Sequence, residues 1–144
     1  MRKKSRMDKF VERVQKQKAL GIIYNIPNVD AALLVNRLLD EKKLIVVNAS
    51  DAYTSSMLKY RLGSKFKVKG FSFNMLPALT DGKIITINHA DIIKESYARV
   101  FEDFRQYGIP LLLLMHSDSA MKDLRKWSSY SRVMTIEADF KMLY

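Results

Sequence analysis

The chain has 144 residues, 48% of them hydrophobic, and a formal net charge of +10, which indicates one basic domain with a sizeable core. It has no cysteine, which excludes disulfides, thiolate catalysis and cysteine-based zinc sites. No apolar stretch approaches the roughly 20 residues of a membrane span, and the basic N-terminus runs into no apolar signal region, so no membrane partner is expected.

Hydrophobic periodicity divides the chain into alternating helices and strands. Residues 1–19 are interpreted as a basic N-terminal segment, helical from residue 7, that precedes a domain over residues 20–144. Further helices are predicted over residues 29–41, with Leu33, Leu34, Leu38 and Leu39 facing inward, and over residues 51–62, 90–107 and 119–129. Short apolar strands are predicted over residues 22–24, 44–47, 83–87, 110–115 and 133–136.

Continuously apolar strands that alternate with helices indicate a parallel sheet covered on both faces. Connections between parallel strands are right-handed, which leads to a doubly wound arrangement. We therefore predict an α/β fold with a doubly wound, mainly parallel five-stranded sheet and helices on both faces.

The segment between the second and third strands is basic and rich in aromatic residues. Gly63 is predicted to end a helix, residues 66–73 to form a strand or hairpin arm, and residues 74–82 to form a loop. In a strand, alternate residues share a face. Lys65, Lys67 and Lys69 would then lie on one face, opposite Phe66 and Val68.

The positive charge is concentrated in two segments. Residues 1–18 hold eight basic residues against two acidic ones, and residues 52–80 hold five basic residues and no acidic one. Such clusters on a near-neutral body are typical of polyanion binding, although an acidic protein, a membrane surface or simple solubility would give the same pattern. The residues expected to contact nucleic acid are Arg2, Lys3, Lys4, Arg6, Lys59, Arg61, Lys65, Lys67 and Lys69.

The exit of the first strand resembles a P-loop, G-x-P-x-x-G-K-[ST], whose chemical residues are replaced. Asn25 and Asp30 stand at glycine positions, Ala31 at the lysine and Ala32 at the hydroxyl residue. A working P-loop needs glycines so that backbone N–H groups wrap the phosphates, a lysine for the β- and γ-phosphates, and a hydroxyl for Mg²⁺. This segment is therefore interpreted as a degenerate nucleotide site.

Two later segments follow in the order found in AAA+ clamp-loader ATPases of the replication factor C type. Residues 46–51, VVNASD, resemble the segment that ends the second strand of those ATPases. Residues 83–91 resemble their Walker B strand. Asn88 replaces the Mg²⁺-binding aspartate, and His89 replaces the glutamate that polarises water.

Two more positions extend the resemblance over residues 20–138. Residues 130–133 resemble the S-R-C segment of the same ATPases, which implies that Arg132 docks on a partner subunit. His116 ends a strand where a sensor asparagine would stand. The chain thus resembles a P-loop NTPase core of the AAA+ type without its helical lid. Residues 27–39 also resemble the P-N-V-G-K-S…N-x-L pattern of Era-type GTPases, and residues 115–118 resemble their N-K-x-D motif. Those proteins need a further helix and strand before the N-K-x-D strand, whereas only one helix, over residues 90–107, fits here.

The replaced residues imply that this core hydrolyses no ATP and holds no cofactor. We infer a non-catalytic, nucleic-acid-associated assembly or loader-type protein, with DNA favoured over RNA and with an ATPase or replication protein as partner. The absence of cysteine fits a cytoplasmic location, or a nucleoid or nuclear one if the protein is bound to DNA. One alternative is a metal-dependent phosphohydrolase or nuclease that uses Asp30, His89 and Asp91. Another is an inhibitor that docks on an ATPase.

Overall fold

The computed structural model describes residues 5–40, 44–49, 54–93 and 95–138, and its five strands form one parallel sheet in the order β2-β3-β4-β1-β5. The strands are β1 (Leu20–Tyr24), β2 (Leu44–Asn48), β3 (Ile84–Asn88), β4 (Leu111–Leu114) and β5 (Val133–Glu137). The helices are α1 (Arg6–Gln17), α2 (Asn28–Asp40), α3 (Ser55–Phe66), α4 (Leu76–Thr80), α5 (Ala98–Gln106) and α6 (Met121–Trp127). The predicted fold class is confirmed. In the described ranges no helix is both long and apolar enough to cross a membrane.

Helices cover both faces of the sheet and bury two hydrophobic cores. α1 and α2 pack on one face, called the α1 face, where Phe10, Val14 and Leu34 are buried. α3, α5 and α6 pack on the other, called the α3 face, where the core includes Leu62 and Phe104. The sheet therefore separates the two basic segments of the sequence.

α1 is fixed to the sheet by a capped start and a close contact. The Ser5 hydroxyl accepts the N–H of Asp8, and the Asp8 carboxylate accepts the N–H of Ser5, which satisfies two backbone donors at the helix start. Asp8 also lies 3.0 Å from Arg37 of α2. At Gly21 of β1, an added Cβ would lie 2.5 Å from Val14 Cγ2, so α1 packs directly on the strand backbone.

The segment after β2 differs from the prediction. α3 runs through Gly63 to Phe66, and Lys67 ends it in the left-handed region at φ 56°. Gly63 serves packing instead, because a Cβ there would lie 2.9 Å from Phe71 Cβ. Residues 66–73 therefore form no strand. The predicted loop over residues 74–82 is mostly helical, with a 3₁₀ turn followed by α4.

The predicted helix over residues 90–107 is also wrong in its first half. Ala90–Ile92 and Glu95–Tyr97 are single 3₁₀ turns, and α5 begins only at Ala98. Between the turns, Ile93 adopts an extended conformation that buries its side chain in the α3-face core. The predicted stop at Gly108 is confirmed, since this residue takes φ 67° directly after the helix.

α2 departs from the prediction at one core position. Ala31 and Leu34 face the core, one turn apart, while Val29 is 70% exposed and Leu33 48% exposed. The prediction that Leu33 is buried was therefore wrong.

Candidate functional site

The loops that leave β1, β3 and β4 meet at one edge of the sheet, called the strand-exit edge. The Ile26 N–H donates to the Met115 carbonyl at 3.1 Å. His116 Nδ1 lies 2.7 Å from the Ile26 carbonyl oxygen, which can only accept, so this nitrogen carries the proton. The His89 and His116 rings have centroids 4.5 Å apart. The predicted nucleotide-site segments thus lie together in space.

Asp91 joins the β3 exit to the β4 exit. One carboxylate oxygen accepts the His116 N–H at 2.7 Å, and the other accepts the Ser117 N–H at 2.8 Å and the Ser117 hydroxyl at 2.7 Å. Burial raises the pKa of Asp91, but these hydrogen bonds from His116 and Ser117 outweigh it and bring the pKa below its ordinary value. Asp91 is therefore an ionised anchor for the β4 exit loop.

The metal-site alternative gains no support from this edge. Asp91, one of its three predicted ligands, already accepts three hydrogen bonds. Within residues 5–40, 44–49, 54–93 and 95–138, no group of three histidine, aspartate or glutamate side chains could hold a metal ion.

The P-loop-like segment is shorter than a phosphate-binding loop. Only residues 25–27 separate β1 from α2, and the Ala31 N–H already donates to the Pro27 carbonyl in the first helical turn. Ala31 is buried in the α1-face core, Ala32 is exposed, and Asp30 lies half-buried in the acidic first turn. These three positions supply no cation where a P-loop needs one.

Asn88 and His89, the two positions that resemble Walker B residues, take part in the local turn of the backbone. The Asn88 side-chain oxygen accepts the N–H of His89 at 2.9 Å, and His89 turns the chain in the left-handed region at φ 56°. Asn25 makes the matching left-handed turn after β1, also at φ 56°. Asparagine is among the residues that adopt this region most readily, which explains its place at the β1 exit.

A basic groove lies along α3. Two cavities of about 460 and 470 Å³ share Ser56 and Lys59 and together form the surface called the α3 groove. The first cavity lies between α3 and α5 and adds Arg99. The second lies against the turn after α3 and adds Tyr60 and Lys69. Hydroxyl and amide groups complete the lining, at Ser55, Ser64, Ser72 and Asn74.

The five basic residues predicted from this segment do not share one face. Lys59 and Lys69 line the groove. Lys65 instead donates its Nζ to the Val46 carbonyl at 3.0 Å, on edge strand β2. Arg61, one turn before Lys65, is exposed, and Lys67 forms the helix cap. The strand face predicted to be shared by Lys65, Lys67 and Lys69 is wrong, because Lys65 lies in α3, Lys67 caps this helix and Lys69 lies in the turn that follows.

The aromatic residues of the segment have two different environments. Phe66, Phe71 and Phe73 pack in series, with ring centroids 6.2 and 5.7 Å apart, and Phe73 continues the series to Phe104 in the core. Tyr60 is 72% exposed. It is therefore the aromatic ring of this group that can stack on a ligand.

Arg99 is the groove residue that sequence reasoning missed. It lies on α5, and it meets Lys59 only because α5 packs beside α3 on the same face of the sheet. No local pattern marks such a contact. The lining also includes one acidic residue, Asp103, and the neighbouring cavity of about 600 Å³ adds Glu102. Positive charge is thus strongest at the α3 side of the groove.

The remaining predicted residues lie elsewhere. Arg2, Lys3 and Lys4 are outside the described residues, and Arg6 is exposed at the start of α1. Arg132 precedes β5, and its carbonyl accepts the Leu20 N–H at the amino end of β1. It therefore lies at the opposite end of the sheet from the strand-exit edge.

Comparison with known proteins gives no match, either to the models of protein families or among curated proteins.

Proposed function

We propose that this protein is a non-catalytic, nucleic-acid-associated component of the assembly or loader type, built on an inactive AAA+-like core. The observation that carries the proposal is the α3 groove, where Lys59, Lys69 and Arg99 accompany the exposed ring of Tyr60. Cations along a groove neutralise phosphates, and an exposed aromatic ring stacks on an unpaired base. The groove therefore fits a single strand better than it fits a compact anion.

The polar groups of the groove also favour a strand. Serine hydroxyls and an asparagine amide line the same two cavities as the cations, and such groups hydrogen-bond phosphate oxygens without reading sequence. The binding we propose is accordingly sensitive to salt and tolerant of sequence. DNA is the proposed partner, in keeping with the resemblance to clamp-loader ATPases.

The arrangement of the strand-exit edge supports an inactive AAA+-like core. The segments that resemble the P-loop, the Walker B strand and the sensor position lie side by side, as an ATPase would require. The side chains of these segments instead form hydrogen bonds with the neighbouring loops. His116 bonds to the β1 exit, and Asp91 holds the β4 exit. A fold of ATPase type that serves as a scaffold would have this character.

Fluorescence anisotropy with labelled single-stranded DNA, duplex DNA and RNA tests the proposal. We expect single-stranded DNA to bind most tightly, because only an unpaired base can stack on Tyr60. The variant Lys59→Gln/Lys69→Gln should weaken this binding by about tenfold or more, since it removes two phosphate contacts. Lys83→Gln, which removes one charge at the amino end of β3, is the matched control and should bind as the wild type does.

Tyr60→Ala separates stacking from charge. It should weaken binding to single-stranded DNA by roughly 1–3 kcal/mol and leave duplex binding unchanged. If neither the lysine variant nor the tyrosine variant changes the affinity for single-stranded DNA, the α3 groove is not the binding surface and the proposal is wrong.

A further inference from the structure

A second basic surface surrounds edge strand β5. On α1, Lys9, Arg13 and Lys16 follow one another at spacings of four and three residues, which places them along one side of the helix. All three are exposed, and the buried side of α1 is formed by Met7, Phe10, Val11 and Val14. The stripe therefore faces solvent along the length of the helix.

Arg132 extends this stripe. Its guanidinium Nη1 donates to the Gln17 side-chain oxygen at 2.6 Å, and Gln17 lies one turn after Arg13 on the same side of α1. Arg132 itself is exposed. The residue singled out for subunit docking is thus adjacent in space to the N-terminal basic segment.

α6 adds positive charge on the other side of β5. Arg125 Nη2 donates to the Thr135 hydroxyl of β5 at 3.1 Å, and Lys126 beside it is exposed. Acidic residues are fewer here: Glu12, Asp123 and Glu137. We name the six cations the β5-edge surface. They are Lys9, Arg13, Lys16, Arg125, Lys126 and Arg132.

The α1 cations of the β5-edge surface and the α3 groove cannot contact the same short stretch of nucleic acid. β2 and β5 are the two edges of a five-stranded sheet, so they lie about 19 Å apart at the usual strand spacing. α3 packs near β2 on one face, whereas α1 packs on the opposite face. The α1 cations of the β5-edge surface and the α3 groove therefore lie on opposite faces of the sheet, whereas Arg125 and Lys126 of α6 lie on the α3 face.

We infer that the β5-edge surface is a second nucleic-acid site, which binds the phosphate backbone of a duplex, so that one molecule bridges two nucleic-acid segments. This inference rests on the function proposed for the α3 groove. The chemistry of the two surfaces differs. The β5-edge surface is formed by cations, with no exposed aromatic ring among them. These cations lie on α1, on α6 and at the start of β5, around an edge of the sheet rather than in a groove. They neutralise phosphates without stacking on bases.

A capture experiment tests bridging directly. Beads carry an unlabelled duplex, the protein is added, and retention of a labelled single strand is measured. The wild type should retain the strand. Lys9→Gln/Arg13→Gln/Lys16→Gln should lose about tenfold or more in duplex affinity and lose retention, yet bind the free single strand as the wild type does. Adding Arg132→Gln should weaken duplex binding further. Lys83→Gln is the control for the loss of a single charge outside both surfaces, and thermal unfolding checks that each variant is folded.

Mixing two variants shows whether one molecule carries both sites. The α1 variant, Lys9→Gln/Arg13→Gln/Lys16→Gln, keeps the α3 groove intact, and Lys59→Gln/Lys69→Gln keeps the β5-edge surface intact. If one molecule bridges, their mixture should not retain the strand. Retention by the mixture would mean that association of two copies produces the bridge, and it would overturn the inference.

The remaining outcomes are also decisive. Failure of the wild type to bind any single strand contradicts the proposed function, whereas intact single-strand binding with no loss of duplex affinity in the α1 variant contradicts only the second site.

Anionic vesicles are tested in parallel. A β5-edge surface that binds vesicles and not duplex would assign it to a membrane, and binding to neither would remove it as a site. If Arg132→Gln lost binding to an ATPase partner but kept its duplex affinity, Arg132 would be assigned to subunit docking and not to the β5-edge surface.

Discussion

Asp91 connects two loops that are 25 residues apart in sequence. Its two oxygens receive three hydrogen bonds from His116 and Ser117, and two of these donors are backbone N–H groups. A carboxylate in this position accepts all three hydrogen bonds most strongly while it is ionised, because protonation would place an O–H donor on one of its two accepting oxygens. The geometry of the strand-exit edge therefore depends on the charge of one side chain.

Asp91→Asn should destabilise the protein at neutral pH by about 1 kcal/mol, a value that allows for the partial exposure of the site. The asparagine amide places a donor against N–H groups that require an acceptor. The pKa of Asp91 is lowered in the folded state, so its contribution is fully present above the ordinary value of about 3.9 and is lost as the pH falls through the folded pKa. Urea unfolding near pH 7 and near pH 3 measures both effects.

The difference between wild type and Asp91→Asn should thus shrink in acid. Asp118→Asn, in the same loop, is the control and should change stability little at either pH, since Asp118 is exposed. An equal difference at both pH values would show that Asp91 is not the ionised anchor described.

At the scale of elements, α1 packs directly against the backbone of β1 at Gly21. Gly21 makes this possible, because a methyl group there would enter the space of Val14 Cγ2 at 2.5 Å and of Leu112 Cδ1 at 3.2 Å. The contact sets the position of α1 on the sheet. It thereby also sets the position of Lys9, Arg13 and Lys16 on the α1 face.

Gly21→Ala should destabilise the protein by about 1–3 kcal/mol, as overpacking of a close contact usually does. Val14→Ala removes the nearest methyl groups, so the cost of Gly21→Ala should be smaller in that background. A double-mutant cycle of chemical unfolding measures this coupling. Additive effects of the two substitutions would mean that Val14 and Gly21 do not meet as described.

Strands were more predictable than helices in this chain, for a physical reason. The runs over residues 22–24, 44–47 and 111–114 are apolar on both sides, and such runs are typical of strands buried between two layers. The predicted starts and ends of helices are wrong where tertiary contacts determine them. Gly63 continues α3 because Phe71 packs on it, and Ile93 interrupts the predicted helix over residues 90–107 because its side chain enters the core.

At the scale of the whole molecule, the order of the strands determines where the positive charge lies. The two basic segments of the sequence follow each other within the first half of the chain, yet the order β2-β3-β4-β1-β5 places their helices near opposite edges. Sequence reasoning identified the cations but could not place them, because strand order is a property of the complete sheet. For the same reason, sequence reasoning did not identify Arg99, which reaches the α3 groove from a helix more than 30 residues away along the chain.

The strand-exit edge also makes a prediction for the whole molecule. Mg²⁺ and ATP at about 5 mM should not raise the unfolding midpoint, since a ligand stabilises only the state that binds it. Ala31 and Ala32 supply no cation, and Asp91 and His116 are engaged with the loops. A clear rise of several degrees, scaling with ATP concentration, would show that the edge still binds a nucleotide.

The salt dependence of single-stranded DNA binding tests the central claim most directly. The slope of log K against log salt concentration is about −0.7 per neutralised phosphate for a single strand. The account predicts a steep slope for the wild type and a slope shallower by about 1.4 for Lys59→Gln/Lys69→Gln, because two phosphate contacts are lost. Equal slopes for the two proteins would contradict the assignment of the α3 groove as the surface that binds nucleic acid.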